Sequence, residues 1–136
     1  MTSKLNRFSF SKHEKLTSKK TIEDIYASGL KIKSYPFILN YIEVKEDKGV
    51  NFPVQIVTAV PKRKVKLAVK RNRLKRQIRE AYRLNKSDLI ELVNNQNKKL
   101  ALFLVYIGKE KESYDFIEKK IVLLLSELKQ NISKIN

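Results

Sequence analysis

One 22-residue segment, Lys62 to Arg83, restricts this chain more than any other, because its most cationic stretch is also its clearest helical pattern. Eleven of its residues are basic (Lys62, Arg63, Lys64, Lys66, Lys70, Arg71, Arg73, Lys75, Arg76, Arg79 and Arg83) and one, Glu80, is acidic, so it carries +10 of the chain's formal +16. Six of the seven arginines lie within it, whereas the 23 lysines are spread along the chain. Lysine alone could be a compositional habit. Arginine has a planar fork that pairs bidentately with phosphate and stacks on bases, so its concentration in one place points to recognition.

The spacing predicts a helix from about Ala68 to Leu84. At 100° per residue, Leu67, Leu74, Ile78 and Ala81 share one face with Tyr82 at its edge. Asn72, Arg76, Arg79 and Arg83 line the opposite face, Lys75 and Arg73 occupy the shoulders, and Arg71 falls beside the apolar stripe. One side docks on a core and the other presents a cationic ridge about 16 Å long. A solvated charged face normally includes Glu for i to i+4 pairing, and here only Glu80 is present. The pattern therefore predicts contact with a polyanion, nucleic acid above all.

The remaining composition bounds the class. In 136 residues with 42% apolar content, 6 Tyr and 6 Phe, one hydrophobic core is expected and disorder is excluded for most of the chain. Cysteine is absent, which removes disulfides, thiolate nucleophiles and Cys-based metal sites. His13 is the single histidine, too little for a zinc site or a histidine-assisted triad. Glu23-Asp24 and Glu46-Asp47 read as solvated surface, so no metal site and no catalytic side chain is expected. No apolar stretch approaches the roughly 20 residues of a bilayer span, and Met1 to Lys20 has no apolar signal region, so a cytoplasmic protein without a membrane partner is expected.

Three glycines and three prolines punctuate the chain. Ser18 is positioned to cap a helix through Ile22, Ile25 and Tyr26 that Gly29 stops. Phe37 to Val44 and Val54 to Val60 read as strands, expected to be antiparallel neighbours across the Lys45 to Pro53 loop. A short helical turn is expected around Asp88 to Val93. Leu100 to Ile107 is apolar enough for a central strand, ended by Gly108. Ser113 opens a last helix whose core stripe is Phe116, Ile117, Ile121, Leu124, Leu125 and Leu128. One domain over residues 1–136 results, in the order helix, strands, helix, strand, helix, with 1–15 and 131–136 expected to be loose.

The run Arg71-Asn72-Arg73-Leu74-Lys75-Arg76-Gln77-Ile78-Arg79-Glu80-Ala81-Tyr82-Arg83 closely resembles the signature of the protein subunit of bacterial ribonuclease P. The resemblance extends over nearly the whole chain, with Leu16 to Gly29 similar to that family's first helix, Lys62 to Lys70 to the basic approach, and Leu100 to Gly108 to the later strand. It implies an α+β fold, a mixed four-stranded sheet carrying helices, with a left-handed crossover around the motif helix. It also implies a role in removing the 5′ leader of precursor tRNA, as accessory subunit of an endoribonuclease whose RNA does the chemistry. The implied partners are the catalytic RNA and precursor tRNA, with Mg2+ bound through the RNA and no cofactor held by protein side chains.

Carried over by position, Lys62, Arg63, Lys64, Lys66, Lys70, Arg71, Asn72, Arg73, Lys75, Arg76, Arg79 and Arg83 would contact RNA. A cleft between the first helix and the sheet would hold the leader, with Tyr26 and Phe37 as its aromatic candidates. Ile22 stands where the family usually has Phe, Tyr26 replaces a second Phe, and Asn40 occupies a position often held by Tyr. Lys66 replaces a usual Gly, which adds a charge and removes positive-φ freedom from the approach loop. A ribosomal or other structural RNA-binding protein is the alternative, separated by whether the protein stimulates precursor cleavage. A DNA-binding helix-turn-helix is disfavoured by the strand expected before Lys62.

Overall fold

The computed structural model describes residues 14–44, 52–109 and 112–134. Their elements are α1 (Lys19–Ser28), β1 (Leu30–Ser34), β2 (Phe37–Glu43), β3 (Val54–Ala59), α2 (Ala68–Asn85), α3 (Ser87–Asn95), β4 (Leu100–Tyr106) and α4 (Tyr114–Lys134). His13 and Glu46-Asp47 lie outside the described residues, while Glu23 and Asp24 are exposed on α1.

Local chemistry accounts for the helix ends. The Ser18 hydroxyl accepts from the Thr21 N–H at 3.2 Å and starts α1. Gly29 ends it with an extended backbone, not a left-handed one. Its N–H donates to the Ile25 carbonyl at 2.8 Å, and a Cβ there would stand 2.5 Å from that same oxygen. In α4, the Ser113 hydroxyl accepts from the Phe116 N–H at 3.2 Å. In the apolar stripe of α4, Ile117, Ile121, Leu124, Leu125 and Leu128 are buried as expected, whereas Phe116 is half-buried with Lys120 Nζ over its ring at 5.4 Å. The stripe continues through Ile132, so Asn131 to Lys134 are helix, not a loose end.

The sheet has the order β1-β2-β4-β3. β1 and β2 pair antiparallel across the Tyr35-Pro36 turn, whose peptide is cis, and β2 pairs antiparallel with β4. β3 runs parallel to β4, from Val54 opposite Leu100 to Ala59 opposite Val105. The expectation that the second and third strands are neighbours is therefore wrong, because β4 lies between them. Its residues are buried on both faces from Leu100 to Leu104, and such a strand gains most from a partner on each side. β1 is a strand that the sequence reading did not locate.

Alternation sorts the side chains onto two faces. Ile32, Phe37, Leu39, Tyr41, Val54, Ile56, Leu102, Leu104 and Tyr106 pack with α2, α3 and α4. Ala101 and Phe103 pack on the other side with Leu16 and Ile25, and α1 covers that face only partly, leaving Ile42, Val57, Ala59 and Val105 half-buried. Residues Glu14 to Leu16 are ordered against the β3 edge. Lys15 forms a parallel bridge with Ile56, and the Leu16 N–H donates to the Ile56 carbonyl at 3.0 Å.

Candidate nucleic-acid interface

The orientation of α2 is decided by packing. Leu74, Ile78, Ala81 and Tyr82 are buried against the sheet and α4. Full burial of residues such as Leu74 and Ile78 stabilises by about 1.5–3 kcal/mol each. Repulsion between cations one turn apart opposes by only about 0.2–0.5 kcal/mol a pair. The stripe wins, and Asn72, Arg73, Arg76 and Arg79 are turned outward, with Lys75 half-buried at the shoulder. Among the described residues, Arg73, Arg76 and Arg79 meet no carboxylate in an ion pair. Leu67 departs from the expected stripe: it precedes the first helical turn and is 60% exposed, beside Val69 at 81%.

Two of the expected contact residues have work within the chain. The Arg71 guanidinium turns back and its Nη1 donates to the carbonyls of Val65 (3.0 Å) and Lys66 (2.8 Å), tying the approach loop to the first turns of α2. Arg83 meets Glu80 through two hydrogen bonds, Nη2 to Oε2 at 2.6 Å and Nε to Oε1 at 3.1 Å. This bidentate pair holds the Glu80 carboxyl below its usual range and raises Arg83 further. Arg83 thus leaves the ridge, because its i−3 neighbour is the segment's one acid.

The approach loop has its own anchor. The Pro61 carbonyl accepts from the Lys64 and Val65 N–H groups at 3.0 and 3.1 Å, and the Val65 side chain is buried. This turn leaves Lys62, Arg63 and Lys66 exposed and Lys64 half-exposed, next to exposed Lys70 on α2. Asn97 is the single non-glycine with positive φ among the described residues, so Lys66 occupies the family's usual glycine position with an ordinary backbone.

The two aromatic candidates separate. Phe37 is fully buried in the core beneath α2 and α4, its ring edge-on to Tyr106 at 5.5 Å, and cannot face a cleft under α1. Strand parity is the reason: odd positions of β2 point to that core, while Ile38, Asn40 and Ile42 point to the α1 side. Tyr26 is 73% exposed at the rim of the α1 side, edge-on to Phe103 at 5.4 Å. The Asn40 amide donates to the Phe103 carbonyl at 3.1 Å on the floor of that face. Phe103 is the aromatic that the sequence reading missed. It stands opposite Asn40 in the β2–β4 register, a pairing the sequence did not reveal; its place as the phenylalanine inside the apolar Leu100 to Ile107 run was the available signal.

No group of three His, Cys, Asp or Glu among the described residues is placed to hold a metal ion. No helix among them is long and apolar enough to cross a membrane.

The chain is similar to proteins of one kind. The family model described as Ribonuclease P matches residues 10–129. The ribonuclease P protein component of Chlorobium phaeobacteroides is 33% identical over 129 residues, covering 89% of this chain and 88% of that protein. That of Porphyromonas gingivalis is 27% identical over 125 residues, covering 92% and 90%. In fold, the chain resembles the Staphylococcus aureus RNase P protein (TM-score 0.65, 19% identity, 83% of this chain and 94% of that one). It also resembles the Thermotoga maritima RNase P protein (TM-score 0.62, 20% identity, 84% and 96%). With a family match along nearly its whole length and the motif helix presented on this fold, the chain belongs to the ribonuclease P protein family.

Proposed function

We propose that this protein component binds the catalytic RNA of ribonuclease P through α2 and the approach loop, and that it helps remove the 5′ leader of precursor tRNA. The observation that carries this reading is the outward ridge of Arg73, Arg76 and Arg79, backed by a buried stripe and unopposed by carboxylates among the described residues. A surface of this kind neutralises phosphates, and so allows two polyanions, enzyme RNA and precursor, to approach each other. The phosphodiester chemistry and its Mg2+ belong to the RNA, and the protein contributes charge and position in the cytoplasm. The partly covered face under α1 suits an unpaired leader. Tyr26 offers an exposed ring, and base stacking on an aromatic contributes about 1–3 kcal/mol whatever the base.

The test is reconstitution with catalytic RNA at low magnesium, with wild-type protein and with the double variant Arg76→Gln/Arg79→Gln. Wild type should stimulate precursor cleavage. The double variant should keep its unfolding midpoint and lose stable RNA binding, with the slope of log affinity against log salt shallower by about 1.4–1.8 for two phosphates. Unchanged affinity at moderate salt would overturn the ridge assignment. RNA binding by the wild type without stimulated cleavage would favour a structural RNA-binding protein instead.

A further inference from the structure

Between β3, α2 and the segment Glu14 to Leu16 lies a cavity of about 260 Å3 that the ridge does not account for. Lys15, Lys75 and Arg79 line it, with Thr58, Ile56 and Tyr82, and no acidic side chain among the described residues does. Among the described residues none of the three cations makes an ion pair. Buried contacts fix their convergence. Lys15 is held by its bridge to Ile56 and by its neighbour Glu14, whose carboxylate meets Lys86 Nζ at 2.6 Å with both side chains 2% exposed. Lys75 and Arg79 sit one turn apart on α2, which Leu74, Ile78 and Tyr82 anchor. Burial keeps the Tyr82 hydroxyl protonated far above the usual phenol range, so it adds no negative charge.

Three cations directed at one concavity repel each other until an anion arrives. The volume limits that anion. Pockets for small organic ligands run to about 300–1,000 Å3, so this one admits a single nucleotide-sized group and no duplex. Ile56 and Tyr82 give it apolar wall, and Thr58 supplies a hydroxyl that can donate or accept. We propose that the cavity is a nucleotide subsite, which seats one unpaired nucleotide of the bound RNA with its phosphate among Lys15, Lys75 and Arg79 and its sugar or base edge toward Thr58. This rests on the reading of α2 as an RNA-binding ridge, and it extends the interface to the chain before α1.

The experiment uses the full chain with two variants outside the ridge, Lys15→Gln and Thr58→Val, alongside Arg76→Gln, all with unchanged circular dichroism. If the subsite exists, Lys15→Gln lowers affinity for catalytic RNA several-fold and makes the salt slope shallower by about 0.7–0.9, one phosphate. Thr58→Val lowers it about two- to tenfold, the usual range for one hydrogen bond, with the slope unchanged. Wild-type affinity in both, with Arg76→Gln still impaired, overturns the subsite and leaves the ridge standing. Wild-type affinity in all three overturns both. The remaining source is a free nucleotide. If a nucleoside monophosphate shifts the Thr58 amide resonance while neither variant changes RNA affinity, the cavity serves that ligand and the seating of RNA is overturned.

Discussion

Arg71 and Arg76 lie five residues apart on α2 and look alike in the sequence, but one guanidinium closes the approach loop and the other is in water. The contrast separates stability from binding. Arg71→Ala removes two hydrogen bonds from a charged donor to loop carbonyls, and bonds of this kind contribute about 1.5–3 kcal/mol each to stability. It should therefore lower the urea midpoint clearly, whereas Arg76→Ala should stay within about 0.5 kcal/mol of wild type and lose RNA affinity. Glu80→Gln supplies a second comparison. It breaks the ion pair with Arg83 and removes one negative charge from the ridge, so RNA affinity should rise, read by filter binding at fixed salt. A fall would mean that the pair positions Arg83 for contact. Protonation acts in the same direction. Because Arg83 holds the Glu80 carboxyl below its usual range, the pair is intact above the ordinary carboxylate pKa and is lost only as pH falls through the lowered value.

At the scale of elements, the chain was legible wherever one short segment states its own environment. The stripes of α2 and α4, the Ser18 and Ser113 caps, and the doubly apolar β4 could all be read locally. β1 could not, because its Leu-Lys-Ile-Lys alternation spans only two apolar positions and just one of them, Ile32, is buried, too short a pattern to stand apart from the loop after Gly29. Strand order also escaped the reading, although the character of β4 already argued for a central place. The ordered segment before α1 was beyond reach for another reason. Glu14 meets Lys86 across 72 residues of sequence, and neither differs locally from a surface charge. Removing one member of a buried pair leaves an uncompensated charge, and Lys86→Met should lower stability by about 3–5 kcal/mol in urea unfolding. The double variant Glu14→Leu/Lys86→Met should recover most of that loss, since well-packed apolar replacements of a buried pair are often neutral. No recovery would mean that the pair does more than neutralise itself.

Across the whole molecule, the formal charge of +16 sets folding and binding against each other as ionic strength changes. In the free protein, like charges crowd each other along α2 and its approach, and the compact state brings them closer than the unfolded chain does. Added salt shortens the Debye length from about 30 Å at 0.01 M to about 8 Å at 0.15 M, so repulsion across the surface fades and the free protein should melt at a higher temperature. Binding should respond in the opposite sense. Each phosphate neutralised adds about −0.7 to −0.9 to the slope of log affinity against log salt, and replacing Arg73, Arg76 and Arg79 together by Gln should remove about two to three from its steepness. The same triple variant relieves self-repulsion, so its melting temperature should depend less on salt than that of the wild type. Thermal melts and RNA titrations over one salt series test both limbs. If the triple substitution flattened the melting curve's salt dependence and left the binding slope intact, these arginines would contribute to the charge of the free protein without touching phosphate.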